Sequence, residues 1–178
     1  MPEFGRDHGD PVPDPFLVSS EEWLSLLPQG ASALDLACGA GRHAVWLAQR
    51  GFRVTAVDFS SEALHKTEAL AAGEVRCLKV DLESPELNLG REVYHLICGF
   101  FFLHRPAFPV IRDALKPGGL ILYKTYTTDQ LRYPGRPRHP MHLLEPNELL
   151  RVFEGFRVFR YEENLQGRGT AGIVAQKP

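Results

Sequence analysis

Charge of neither sign prevails in this 178-residue chain, where 20 lysines and arginines stand against 22 acids for a formal net charge of −2. That balance argues against a general nucleic-acid surface or a membrane-binding face, since both draw on a basic excess. Cysteine is scarce. The three present, Cys38, Cys77 and Cys98, form no C-x-x-C pair and sit among apolar neighbours, so no disulfide framework, zinc site or other metal centre is expected. Long apolar runs are missing as well. The longest, Leu96 to Leu103, falls far short of the ~20 residues of a membrane span, and no N-terminal apolar stretch follows a basic one. The expectation is a soluble, cytoplasmic protein without internal repeats, and the sequence carries no signature of oligomeric state.

What is present is enough apolar material, 44%, for one domain with a proper core. Met1 to Pro15 holds four prolines, two glycines and four acids, a composition that buries too little to order itself. Residues 1–18 are therefore read as a flexible lead-in that drapes over the site, and 19–178 as a single domain. Ser19 or Ser20 caps a short helix through Leu27, stopped by Pro28 and Gly30. Strands are expected over 33–37, 52–57, 74–80, 94–102 and 120–126, with helices over 42–50, 61–72 and 109–116 between them. A helix from Pro146 to Phe153 and a hairpin over 156–161 and 170–176 close the chain. Strand–helix repetition implies an α/β, doubly wound sheet whose ligands lie outside the carboxyl ends of the strands.

The stretch Leu34-Asp-Leu-Ala-Cys-Gly-Ala-Gly-Arg-His-Ala44 organises the rest. It reads as a buried strand turning sharply into a helix, with Gly39 and Gly41 in the turn. Lacking Cβ atoms, they allow positive φ and let a ligand lie against the backbone at the positive end of a helix dipole. The spacing from Gly39 to Ala44 also fits the G-x-G-x-x-A dinucleotide fingerprint, so the glycines alone leave the cofactor open. Asp35 discriminates. A carboxylate four residues before Gly39 would face an anionic pyrophosphate unfavourably, but suits a ligand carrying positive charge and no phosphate. Asp58, 17 residues after Gly41, sits near the spacing at which a carboxylate meets a ribose diol, and Asp81 ends the next strand.

On these residues the sequence resembles the class I S-adenosylmethionine-dependent methyltransferases, departing from their fullest glycine pattern at Ala37. The resemblance implies a Rossmann-like sheet of seven strands in the order 3-2-1-4-5-7-6, with the last strand antiparallel. It also implies S-adenosyl-L-methionine as cofactor. Asp35 would lie near the methionyl ammonium, with Ala37, Cys38, Gly39, Gly41 and Arg42 forming the cradle. Asp58 would accept both ribose hydroxyls and Asp81 the adenine amino group, while Phe59 and Leu82 flank the ring. Cys98 and Phe100 would close over the sulfonium end.

Three further runs, Phe102-Leu-His-Arg105, Thr125-Tyr126-Thr127 and Gly135-Arg-Pro-Arg138, resemble the small tellurite-resistance-type branch. His104 and Tyr126 are the candidates for orienting or deprotonating a nucleophile, and Arg105 for clamping an anionic substrate. The long segment 127–144 is basic, and Arg136 and Arg138 on it are further substrate-binding candidates. The expected reaction is methyl transfer to a small acceptor, anionic or chalcogen-containing, with neither nucleic acid nor membrane as partner. Two other readings stay open: a cofactor-binding module without turnover, and an NAD(P)-dependent oxidoreductase.

Overall fold

In the computed structural model, which describes residues 12–178, the chain enters through two single-turn helices, α1 (Pro15–Val18) and α2 (Glu21–Leu24). Asp14 caps α1 by accepting from the Phe16 amide at 2.8 Å, and Pro15 occupies a first-turn position whose N–H would have no partner. Alternation follows in β1 (Ser32–Leu36), α3 (Arg42–Ala48), β2 (Arg53–Asp58), α4 (Ser61–Ala71), β3 (Val75–Lys79), β4 (Tyr94–Phe100), α5 (Ala107–Ala114) and β5 (Leu115–Tyr126). Two 3-10 turns, Thr128–Arg132 and Pro140–His142, precede α6 (Glu148–Val152), β6 (Arg157–Asn164) and β7 (Thr170–Gln176). The strands form one sheet in the expected order, β3-β2-β1-β4-β5-β7-β6, with β7 antiparallel to both its neighbours.

Alternation along the strands divides the core between the two faces of the sheet. Leu34, Leu36, Ile97, Ile121 and Tyr123 pack with Phe108 and Ile111 of α5 and Leu149 of α6. Ala33, Cys98 and Leu122 pack on the other side with Leu47 of α3, Leu64 of α4, and Phe16 and Leu17. The register pairs Asp35 with both Ala56 and Cys98, and Phe100 with Lys124. The carboxyl ends of the central strands therefore meet along one edge.

Three expectations are corrected. The lead-in ends before residue 18, because Asp14, Phe16 and Leu17 are buried; residues 1–11 lie outside the described part. Phe16 packs so closely on β7 that a Cβ at Gly172 would fall 2.8 Å from its ring. The third crossover helix starts at Ala107 and ends at Ala114 rather than spanning 109–116. Its last carbonyls, on Asp113 and Ala114, accept from the Glu92 and Val93 amides at 2.7 and 2.8 Å, and Leu115 pairs directly with Tyr94. The fourth strand stops at Phe100 because Phe101 has a φ of 59° and turns the chain aside. No helix among the described residues is long and apolar enough to cross a membrane.

Candidate functional site

β1 ends at Leu36 and the chain turns through Ala37-Cys38-Gly39-Ala40-Gly41 with φ of 52° at Ala37, 56° at Gly39 and 82° at Gly41. At Ala37 this left-handed geometry costs roughly 1 kcal/mol relative to glycine. Gly41 has no alternative. A Cβ there would sit 2.5 Å from Thr67 Cγ2, and Thr67 is buried on α4, where its hydroxyl donates to the Gly39 carbonyl at 2.9 Å. Asp58 fastens the turn from the β2 side: its carboxylate accepts from the Gly39 amide at 2.9 Å and from the Ser60 amide at 2.8 Å.

Of the cofactor residues expected from sequence, Ala37, Asp58, Phe59, Asp81 and Leu82 line one cleft of about 390 Å³, together with Glu83 and Phe102. Phe59 is 68% exposed while Leu82 is buried, so a flat apolar ring has two surfaces to lie between. Asp81 accepts the Glu83 amide at 2.9 Å through one carboxylate oxygen, leaving the other for a ligand donor.

Asp35 is not in that cleft. It is the penultimate residue of β1 and is 1% exposed. One oxygen accepts the weak S–H of Cys98 at 3.5 Å, and the other has no partner. Burial raises its pKa from 3.8 to about 7, against the pull of the Cys98 thiol and the Arg42 charge. An orphaned, desolvated carboxylate oxygen close to the glycine turn fits a cationic ligand group held on that turn. Cys38, Cys98 and Phe100 are likewise buried beneath the turn instead of lining the cleft. Burial, reinforced by Asp35, pushes both thiols up, so neither is a thiolate nucleophile.

A cluster that sequence reasoning missed packs against the same turn. His43, in the first turn of α3, stacks on Phe100 with ring centroids 4.1 Å apart, and its Nε2 accepts the Asp14 amide at 3.2 Å. Burial, with Arg42 and Lys124 nearby, lowers its pKa to about 3, so the ring is neutral. Lys124, at the carboxyl end of β5, donates to both Asp14 carboxylate oxygens at 2.9 and 3.1 Å. Arg42 donates to the Val12 carbonyl at 3.4 Å. The segment from Val12 to Leu17 is thus strapped across α3 and β5. Lys124 stands at the same kind of strand end as Asp58 and Asp81, which was a signal available in the sequence. Asp14 had none.

The acceptor-side candidates divide. Tyr126 and Arg136 line a second cleft of about 310 Å³ with Phe101, Leu103 and His142, and this cleft shares Glu83 and Phe102 with the first. Arg105 is engaged elsewhere. Its guanidinium forms a two-point ion pair with Glu148 at 2.6 and 2.9 Å and donates to the Leu143 and Met141 carbonyls at 2.9 and 3.3 Å. It anchors the 127–144 loop to α6 and lines neither of the two clefts. Arg138 donates to the carbonyls of Tyr133 and Leu131 at 3.1 and 3.3 Å, holding the loop's own shape. His104 lines neither cleft. Its carbonyl accepts the Ala107 amide at 3.0 Å at the start of α5.

A seven-stranded sheet in this order, with a glycine turn after β1 and carboxylates at the ends of β2 and β3, is the class I S-adenosylmethionine-dependent methyltransferase fold. Residues 33–119 match the methyltransferase domain family, and that match and this fold imply S-adenosylmethionine as the cofactor. Among curated relatives, phosphoethanolamine N-methyltransferase 3 of Arabidopsis thaliana is 28% identical over 144 residues, covering 75% of this chain and 29% of that protein. The chain therefore spans less than a third of that enzyme. Among solved structures, an S-adenosylmethionine-dependent methyltransferase from Mesorhizobium loti superposes with a TM-score of 0.70 at 21% identity, covering 90% of this chain and 100% of that one. TehB from Haemophilus influenzae gives 0.73 at 18% identity over 90% of this chain and 62% of that one. These two likenesses establish the fold.

Proposed function

We propose that the chain is an S-adenosylmethionine-dependent methyltransferase that methylates a small, anionic or chalcogen-containing acceptor seated in the second cleft. The observation that carries this reading is the wall common to the two clefts: Glu83 and Phe102 border both. The cofactor, when bound, supplies a methyl group already activated on a sulfonium. What remains for the chain is proximity, alignment and exclusion of water. Asp58 and Asp81 hold the nucleoside half by accepting hydrogen bonds, Phe59 and Leu82 sandwich the base, and the buried charge of Asp35 favours the ammonium end. Phe101 and Tyr126, with ring centroids 5.1 Å apart, keep water from the acceptor side. A soft nucleophile needs little base assistance, and Tyr126 and His142 are the lining side chains of the second cleft able to serve a harder one. The relatives of plant origin make phosphoethanolamine one acceptor to screen, beside thiols and selenite.

The test is calorimetric titration with S-adenosylmethionine, S-adenosylhomocysteine and NADH, repeated on Asp58→Ala and Asp81→Asn. Binding of both adenosyl ligands, weakened in the variants, supports the reading. Saturable binding of NADH alone would return the glycine turn to the dinucleotide class. Bound adenosyl ligand without release of S-adenosylhomocysteine from any acceptor would favour a binding module over an enzyme.

A further inference from the structure

Resting on the methyltransferase reading above, we propose that the second cleft recognises an organic acceptor with a flat apolar body and a single anionic group, and discriminates against bare inorganic oxyanions. The walls carry the first half of the argument. Phe101, Phe102, Tyr126 and Pro137 face the space, and Phe101 is held there at a φ of 59°, with its amide donating to the Lys124 carbonyl at 2.8 Å. A positive φ is a marked outlier for a bulky aromatic residue, and such strain persists where the surroundings over-determine it, most often at ligand sites. Here it brings the Phe101 ring onto Tyr126 at the rim of the core cluster in which Phe100 stacks on His43. A strongly hydrated oxyanion placed among these rings would give up much of its water shell, with only Thr125, Tyr126, Arg136 and His142 among the lining side chains to replace it. An aromatic or otherwise flat body gains from the same surfaces.

The charge distribution carries the second half. Of the loop's arginines, Arg138 is committed to two carbonyls and Arg132 to Asp129 at 3.2 Å, and Arg105, across from the loop, to Glu148. Arg136 lines the cleft and has no hydrogen bond or ion pair with any described residue. Glu83 borders both clefts whereas Arg136 borders only the second. With S-adenosylhomocysteine, which has no sulfonium charge, negative charge is therefore disfavoured beside Glu83 and favoured beside Arg136, which orients a monoanion with its charge at Arg136 and its uncharged end toward the shared wall.

The probes are benzoate, which has body and charge, benzyl alcohol, which has the body alone, and selenite, which has charge alone. Each is titrated calorimetrically onto the full chain saturated with S-adenosylhomocysteine, in wild type, Arg136→Gln and Phe101→Ala. Benzoate is expected to bind roughly tenfold or more tightly than either other probe. Arg136→Gln should weaken benzoate about tenfold and leave benzyl alcohol and S-adenosylhomocysteine unchanged. Phe101→Ala should weaken both ring compounds. Selenite binding as tightly as benzoate, benzoate indifferent to Arg136→Gln, or no saturable benzoate binding would each overturn the proposal. Benzoate bound in an Arg136-dependent way by a chain that binds no S-adenosylhomocysteine would instead sink the cofactor reading and leave this one standing.

Discussion

Asp35→Asn gives the sharpest test of the physical account. The Asp35 carboxyl is 1% exposed, and burial takes its pKa from 3.8 to about 7. Because the folded value lies above the unfolded one, the native state is favoured while it holds the proton. That advantage is lost as pH rises from about 4 through about 7 and does not return above it. At ~1.36 kcal/mol per pH unit of difference, the ionised carboxylate costs the fold about 4 kcal/mol at pH 8. Asparagine removes that cost. It retains an oxygen for the Cys98 thiol but places an NH₂ where the orphaned oxygen stands, a penalty of ~1–3 kcal/mol. The variant should therefore be about 1–3 kcal/mol more stable than wild type at pH 8 in urea unfolding. Near pH 4 it should be level or less stable. Only the difference between the two proteins is diagnostic, because His43 produces an opposing slope. Its folded pKa of about 3 lies below its ordinary 6.5, so stability falls as pH drops from 6.5 toward 3. A difference between variant and wild type that does not change with pH would refute the idea that Asp35 ionises within the fold. The stabilised variant should also bind S-adenosylmethionine at least several-fold more weakly, as expected where a functional charge is maintained against stability.

Gly41→Ala brings a Cβ to 2.5 Å from Thr67 at a φ of 82°, so thermal unfolding should show a loss of more than ~1 kcal/mol, and the displaced turn should abolish cofactor binding in calorimetry. Arg105→Met breaks the two-point pair with Glu148 and frees the Leu143 and Met141 carbonyls; we expect about 1–2 kcal/mol of destabilisation and faster hydrogen exchange over 127–144, with S-adenosylhomocysteine affinity unchanged. A large loss of that affinity would restore Arg105 to the binding machinery. Gly172→Ala places a methyl 2.8 Å from the Phe16 ring, so limited proteolysis should cut between Pro13 and Ser20 faster than in wild type, and equal rates would show that the strap is not held by that packing.

The strand–helix alternation and the positions of Asp58 and Asp81 were legible because each rests on a local signal, whereas the sheet order came through the family resemblance. Apolar runs alternating with capped helical stretches dictate parallel strands joined by crossovers. An acid at a strand's carboxyl end then reaches the ligand edge without further information. Where two signals competed, boundaries moved. Pro109 looks like a helix start, yet it is tolerated within the first turn of α5. Lys116-Pro117-Gly118 looks like a helix stop, yet the helix carbonyls had already found the Glu92 and Val93 amides. Asp35 was recognised as exceptional, but its depth was not, because one residue along a strand exchanges the faces of the sheet.

By itself the sequence determined the α/β strand–helix alternation, the glycine turn and the carboxylates that edge the first cleft, all of which follow from periodicity, turn chemistry and spacing along one segment at a time. The tertiary structure decided which side chains were left over to act. Arg105, Arg136 and Arg138 are chemically alike in sequence. Only the three-dimensional arrangement shows that Glu148 and backbone carbonyls occupy two of them and that Arg136 remains turned to the second cleft. The same holds for Asp14 and Lys124, 110 residues apart in the chain and 2.9 Å apart in space. Hydrogen-bonding capacity is spent on whichever partner folding brings near, and that partner is set by the packing of distant segments, not by neighbours in the chain.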